Sequence, residues 1–208
     1  RSNNPEVIPS PKIVKDFLGI DNLTKQQYDL INSDEKFLWI NGPAGAGKTV
    51  VLLAKILQLA LSSEDNKIVL FCESCAIDKD RAYPEHLHKP LVKAGVKHVT
   101  ISYTEIGDKP ADEVYRTIIG YLYDNQIVII MLRVSNAKTE TIIGIDNTSL
   151  IKFISLFQGK GIHVCFDDIQ GQFSWSWNKV EEDTDETFQA LFELSSSCHV
   201  WIACDTLQ

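Results

Sequence analysis

The sequence predicts an α/β fold, a three-layer α/β/α sandwich with a mainly parallel central sheet. Short apolar runs of strand length alternate along the chain with segments of helical spacing. These runs are apolar at successive positions, so both faces of each strand are expected to be covered. Strands of that kind, separated by helices, are typical of a parallel sheet between two helical layers.

The first residues predict an irregular arm followed by two short helices. Ser2–Lys12 is rich in proline and asparagine, which favour turns and irregular structure. Ile13–Ile20 and Thr24–Asn32 both have helical spacing, and either Asp21 or Thr24 is suited to cap the second helix.

Strands and helices then alternate to the end of the chain. Pro84 and Pro90 are expected to break the helix after the second strand, because proline lacks the backbone donor that a helix needs. The predicted strands are Phe37–Ile40, Lys67–Cys72, Lys97–Tyr103, Gln126–Arg133, Ile162–Phe166 and Val200–Cys204. The predicted helices are Thr49–Leu61, Asp80–Ala94, Ala111–Tyr123, Ser149–Gln158 and Thr184–Leu194.

Composition limits the class of protein. With 208 residues, 44% hydrophobic and 23% charged, the chain can form one large core. No apolar stretch is long enough to span a membrane, and five cysteines, mostly in apolar runs, predict free thiols and an intracellular location, cytoplasmic or nuclear. The formal net charge of -8 disfavours a generally basic surface, so nucleic acid would need a local patch or further parts of the protein.

The most specific motif is a phosphate-binding loop between the first strand of this alternating series and its helix. It reads G-P-A-G-A-G-K-T and fills every fixed position of G-x-x-x-x-G-K-[ST]. A glycine-rich turn before a helix directs backbone N–H groups at a polyphosphate. Lys48 is expected to meet the β- and γ-phosphates and Thr49 to ligate Mg²⁺. The candidate nucleotide-binding residues are Gly42, Pro43, Ala44, Gly45, Ala46, Gly47, Lys48, Thr49 and Val50.

Polar side chains also follow two later apolar strands. Asp167 and Asp168 come at the end of one of them, where a first carboxylate can hold Mg²⁺ and a second can take a proton from the attacking water. Asp167 is therefore the candidate metal ligand and Asp168 the candidate base. Gln208, three residues after Asp205, could contact the γ-phosphate, although a surface turn explains the same residues equally well.

These motifs occur in an ordered set: Leu23–Gln27, then the phosphate loop, then Asp167–Gln170, then Asp205–Gln208. The set resembles the first RecA-like domain of superfamily-1 helicases of the UvrD-like kind. Within that group, the strings Val69–Glu73 and Trp201–Gln208 look most like the helicase-like domain of schlafen proteins. By this resemblance, residues 1–22 form an N-terminal arm with a short helix, and residues 23–208 form a RecA-like ATP-binding domain.

The resemblance implies ATP and Mg²⁺ as cofactors and single-stranded DNA or RNA as the partner. Gln27 would read the adenine edge, and Gln208 would sense the γ-phosphate. Cys72–Ile77 and Thr100–Thr104 match the positions of segments that contact single strands. The family also has a second RecA-like domain, which supplies an arginine to the transition state. Because the sequence stops before such a domain, we expect these residues alone to be a poor ATPase.

One departure from the family keeps a second function open. Asp168 stands where the family has glutamate, and its side chain is one methylene shorter, so hydrolysis could be slow or lost while ATP binding survives. The alternative function is therefore an ATP-binding regulatory switch. A small-molecule kinase would share the phosphate loop but gives no account of the string Asp205–Gln208.

Two further sets of residues allow a functional interpretation beside a structural one. The cysteine pair Cys72 and Cys75 could hold zinc with His86 and His88, but Cys72 lies within an apolar strand. Trp175 and Trp177 could stack on bases, or their loop could cover its own core.

Overall fold

The computed structural model describes residues 6–76, 85–102, 110–136, 155–167 and 189–205. Within these ranges, six parallel strands form the central sheet. In spatial order they are β3 (Phe37–Gly42), β8 (Val200–Asp205), β7 (Ile162–Asp167), β4 (Lys67–Ala76), β6 (Val128–Asn136) and β5 (His98–Ser102). Two short strands, β1 (Val7–Pro9) and β2 (Asn22–Thr24), form a separate antiparallel pair.

Helices connect these strands and cover the sheet. The helices with described bounds are a short π-helix at Val14–Leu18, α1 (Lys25–Ile31), α2 (Lys48–Ser62), α3 (Glu85–Lys93) and α4 (Ala111–Tyr123). Residues 155–157 and 189–194 are also helical. Thr24 caps α1: its hydroxyl accepts a hydrogen bond from the Gln27 N–H, which agrees with the sequence signal.

The side chains of the sheet alternate between two cores. On β4, Ile68 and Leu70 belong to a core under α1, α2 and α3, whereas Val69 and Phe71 belong to a second core under α4 and the helical residues 189–194. All four side chains are fully buried. The predicted three-layer α/β/α sandwich with a parallel sheet is therefore confirmed.

The described parts of the predicted strands and helices agree with the structure, with two exceptions. The arm predicted to be irregular contains β1, which pairs with Asn22–Thr24; Pro9 is tolerated there because it ends a short edge strand. The helix predicted to break at Pro84 and Pro90 is described from Glu85 and continues through Pro90, whereas Pro84 lies outside the described residues. Leu87, Pro90 and Leu91 are all buried, so packing against the core outweighs the lost backbone hydrogen bond.

A buried lysine joins α2 to the connection between α1 and β3. The Lys55 side chain is only 3% exposed, and its ammonium donates hydrogen bonds to the Ile31 carbonyl at 3.1 Å and the Ser33 carbonyl at 2.7 Å. The same nitrogen lies 4.6 Å from the ring centroid of Trp201 on β8. Burial lowers the pKa of Lys55, and Asp34 opposes that shift. The ammonium is thus held by carbonyls and a ring face at the C-terminal end of α1.

His163 lies at the start of β7, on the edge of the sheet opposite the phosphate loop. It is 8% exposed, and its Nδ1 accepts a hydrogen bond from the His199 backbone N–H at 3.0 Å. An accepting Nδ1 carries no proton, so the hydrogen-bond network fits the neutral imidazole. Burial, helped by His199 and Lys36, lowers the pKa of His163 to about 4.

We expect His163 to make the fold less stable in mild acid. Its pKa is lower in the folded chain than in the unfolded chain, so its contribution is present above pH 6.5 and is lost as the pH falls toward 4. The shift corresponds to about 3 kcal/mol in the free energy of unfolding. Urea unfolding between pH 4.5 and 7.5 should show a smaller pH slope for His163→Gln than for the wild type.

The control is His86→Gln on α3: burial lowers the pKa of His86 too, but by less than that of His163, so most of the slope should stay in place. Equal slopes for the wild type and His163→Gln would show that this imidazole is not the group that titrates.

Candidate functional site

The carboxyl ends of β3 and β7 form the candidate site, although these two strands are not neighbours. β8 lies between them and pairs with both: Gly42 is opposite Asp205, and Asp167 is opposite Ala203. The loop after β3 leads directly into α2, which covers this part of the sheet. The glycine-rich motif and the first of the two acids therefore lie at the same edge of the sheet.

The loop between β3 and α2 has the backbone that its glycines permit. Gly45 and Gly47 have φ values of 78° and 80°, in the left-handed region where side chains are disfavoured. Gly47 is the N-cap of α2, and no acidic residue lies in the first turn of that helix. The N-terminal end of a 15-residue helix thus follows a turn of backbone amides, an arrangement that favours a bound anion.

The two reactive side chains of the motif lie at this helix end. The Lys48 ammonium donates hydrogen bonds to the Gly42 carbonyl at 3.0 Å and the Pro43 carbonyl at 2.9 Å, so it lies across the start of the loop. The Thr49 hydroxyl donates to the carboxylate of Asp167, with its Oγ1 at 2.9 Å from Oδ1 and 3.2 Å from Oδ2.

Asp167 is only 5% exposed, and the hydroxyl of Thr49 is one of its partners. A carboxylate and a hydroxyl in contact form a set of hard oxygen donors, which suits Mg²⁺ better than a soft metal. The fold thus brings Asp167 into contact with Thr49 of the phosphate-loop motif, although the two were predicted from separate parts of the sequence.

Gln27 also reaches the loop, but through hydrogen bonds to the protein. Its Oε1 accepts from the Thr24 N–H at 3.0 Å, and its Nε2 donates to the Ala46 carbonyl at 2.9 Å. With the bond from the Gln27 N–H to the Thr24 hydroxyl, this completes a capping box at the start of α1. The pattern Thr-x-x-Gln is a sequence signal for the capping box, but no local pattern indicates the bond from Gln27 to Ala46, 19 positions away.

The described residues give no support for a zinc site. Cys72 is buried, its Sγ donates to the Met131 carbonyl at 3.8 Å, and burial together with Asp167 raises the pKa of its thiol. A protonated thiol is a poor zinc ligand. In the described ranges, no three His, Cys, Asp or Glu side chains are grouped so as to hold a metal ion.

Several predicted residues lie outside the described residues. These are the candidate base Asp168, the candidate sensor Gln208, the tryptophans Trp175 and Trp177, and part of each predicted strand-contacting segment. Their roles stay predictions. Across the described ranges, the helices are too short or too polar to traverse a lipid bilayer.

Comparison with known proteins gives a fold and no family. No protein-family model matches the chain, and no curated protein matches it. Solved structures do match. A crystal structure of the DUF1998 helicase MrfA bound to DNA has a TM-score of 0.56 and 17% identity, over 98% of this chain and 28% of that one. The structure of MrfA bound to DNA and AMPPNP gives the same TM-score and identity, and covers 27% of MrfA.

The chain has a helicase-like α/β fold. A third structure of the same helicase gives a TM-score of 0.53 at 18% identity. The chain spans less than a third of the length of these helicases. The resemblance to a RecA-like domain is therefore confirmed at the level of the fold, and the UvrD-like and schlafen assignments stay predictions.

Replacing Gly47 should cost more stability than replacing Gly45. Both have positive φ, so an alanine at either position is strained by about 1–2 kcal/mol. An alanine Cβ at position 47 would also lie 2.5 Å from the Gln27 Nε2, whereas a Cβ at position 45 would meet nothing within 4 Å. The Gln27 amide has to move away and give up its hydrogen bond to Ala46, so Gly47→Ala is expected to lower the free energy of unfolding by about 0.5–1.5 kcal/mol more than Gly45→Ala does.

Urea unfolding measures both changes, and a double variant identifies the contact. Adding Gln27→Ala to Gly47→Ala removes the crowded side chain, so the penalty of the glycine substitution should approach that of Gly45→Ala. A double variant in which the extra penalty persists would contradict the packing of Gln27 on Gly47.

Proposed function

We propose that the chain is the ATP-binding module of a helicase-like ATPase that acts on DNA or RNA. The observation that carries this proposal is the contact between Thr49 Oγ1 and the Asp167 carboxylate, beside the Lys48 ammonium and the glycine loop. A surface turn has no need of a buried carboxylate against the first turn of a helix. A magnesium nucleotide site needs a carboxylate for the metal and a helix start for the phosphates.

Each residue of the site has a role under this proposal. The loop amides and the N-terminal end of α2 hold the phosphates, and Lys48 contacts the β- and γ-phosphates. Thr49 and Asp167 hold Mg²⁺, which supplies charge neutralisation to the phosphates when bound. Asp168 takes the proton of the attacking water, and Gln208 senses the γ-phosphate.

Gln27 is the proposed adenine contact. An amide that pairs with adenine N6 and N7 meets a mismatched pattern at guanine, so ATP is preferred over GTP. In the structure one N–H of its amide and one lone pair of its oxygen are engaged by Ala46 and Thr24. Each atom keeps one further hydrogen-bonding position for a base.

The macromolecular partner is proposed to be single-stranded DNA or RNA, bound in the intact protein together with a second RecA-like domain. The structural likeness to MrfA, which has been solved with DNA and with AMPPNP, supports this. The net charge of -8 means that such binding depends on a local patch or on further parts of the protein. An intracellular location, cytoplasmic or nuclear, fits the free cysteines among the described residues.

Lys48→Ala should weaken Mg·ATP binding by about 10- to 100-fold, because it removes charge-assisted hydrogen bonds to the phosphates. Titration calorimetry measures the affinity, and circular dichroism checks that the fold is kept. Lys97→Ala is the control, since Lys97 is an exposed lysine at the opposite edge of the sheet. An unchanged affinity in a folded Lys48→Ala protein would refute the phosphate-loop assignment.

A regulatory switch is the second candidate, and the short side chain of Asp168 favours it. If aspartate cannot reach the attacking water, ATP binds and changes the association with a partner while hydrolysis is slow or absent. The negative net charge also favours a protein partner over nucleic acid. The ATPase rate of the intact protein with and without single-stranded nucleic acid discriminates between the two functions, because only a helicase-like ATPase is expected to be stimulated.

Asp168→Glu in the intact protein should raise ATP turnover, because the longer side chain brings the carboxylate nearer the attacking water. Asp168→Asn should lower turnover further and leave binding nearly unchanged, since an amide cannot accept the proton. A steady-state phosphate-release assay measures both variants. If turnover stays at background in both variants while ATP still alters the association with a partner, the helicase-like ATPase assignment is wrong and the regulatory switch replaces it.

A further inference from the structure

The side chain of Gln27, which lies outside the loop, bonds to a loop carbonyl, and that bond has a geometric consequence. Its Nε2 donates to the Ala46 carbonyl at 2.9 Å. The peptide bond between Ala46 and Gly47 is trans, like every peptide bond in the described ranges. In a planar trans peptide the C=O and N–H groups point in opposite directions. With the Ala46 carbonyl held toward α1, the Gly47 N–H points away from α1.

We propose that Gln27 is a positioning residue for the phosphate loop: by holding the Ala46 carbonyl, it directs the Gly47 N–H into the anion-binding turn. The inference rests on the proposed function, because a directed N–H matters only if the loop binds phosphate. It goes beyond the adenine contact, since it makes the binding of the phosphates themselves depend on Gln27.

Two further observations show that this arrangement is built into the fold. The Gln27 amide is oriented by α1, because its Oε1 accepts from the Thr24 N–H in the capping box. Its nitrogen also occupies the space that a side chain at position 47 would need. The amide is thus fixed from the α1 side and lies directly against the peptide that it holds.

A ligand without a base separates positioning from base recognition. Mg·ATP and Mg·tripolyphosphate share the phosphate chain, but only ATP has the adenine that Gln27 is proposed to read. Titration calorimetry with both ligands is carried out on the wild type, Gln27→Met, Gln27→Glu and Thr24→Ala, with thermal unfolding as the check of the fold.

Gln27→Met keeps the length of the side chain and removes its donor. We expect it to weaken the binding of tripolyphosphate by about three- to tenfold, which corresponds to the loss of one hydrogen bond, and the binding of ATP by at least as much. Gln27→Glu keeps an acceptor for the Thr24 N–H, and therefore the cap of α1, but cannot donate to Ala46. It should weaken both ligands at least as strongly, because its charge repels the carbonyl and the phosphates.

Thr24→Ala is the matched control. It removes the hydroxyl of the capping box and leaves the Gln27 amide in place, so both affinities should change less than twofold. An equal loss in Thr24→Ala and Gln27→Met would show that the effect belongs to the helix cap and would overturn the inference.

The remaining outcomes are also decisive. If Gln27→Met weakens the binding of ATP but not of tripolyphosphate, or changes neither affinity, Gln27 does not position the loop, while the proposed function stands. A wild type that binds ATP but not tripolyphosphate overturns the inference too, because the loop then does not hold phosphates by itself. A wild type that binds neither ligand refutes the proposed function, and the inference with it.

Discussion

The hydrogen bond between Thr49 and Asp167 joins the first turn of α2 to the end of β7, and the arrangement of the site depends on it. β3 and β7 are separated by β8, which puts their backbones about 10 Å apart at the usual strand spacing. Thr49 crosses that gap from the first turn of α2. The residue of β8 opposite Asp167 is Ala203, which is also opposite Ile40 of β3 and packs into the core under α2. A small side chain at this position leaves room for the helix to approach the carboxylate.

The sequence predicts the parts of this site better than their arrangement. Apolar runs show where strands lie, and the glycine motif identifies the start of α2, because both signals are local. The insertion of β8 between β3 and β7 is a long-range property, and no apolar run encodes which neighbour it takes. Ala203 is therefore an ordinary core alanine in the sequence. Only the strand order shows that it lies between Ile40 and Asp167, in the part of the sheet where a threonine of α2 meets an aspartate 118 positions later in the chain.

The two exceptions in the fold have the same cause. Local signals at Ser2–Lys12 and Pro90 disfavour regular structure, yet tertiary contacts form it in both places. Val7–Pro9 gains a partner strand at Asn22–Thr24, and Pro90 is held between buried leucines. Gln27 combines both kinds of contact. Its capping box is local and can be predicted from the sequence, whereas its bond to Ala46 spans 19 positions and cannot. What cannot be read from the sequence is the choice of distant partner.

α1 is fixed to α2 and its preceding loop at both of its ends, which explains how so short a helix can orient a loop. At its start, Gln27 holds the Ala46 carbonyl just before α2 begins. At its end, the Lys55 ammonium holds the Ile31 carbonyl. Lys55 follows Lys48 by seven positions, or about two helical turns, so the two lysines lie on similar faces of α2. A seven-residue helix is marginal by itself, so these two attachments, together with the burial of Ile31 in the core, place the Gln27 amide against the phosphate loop.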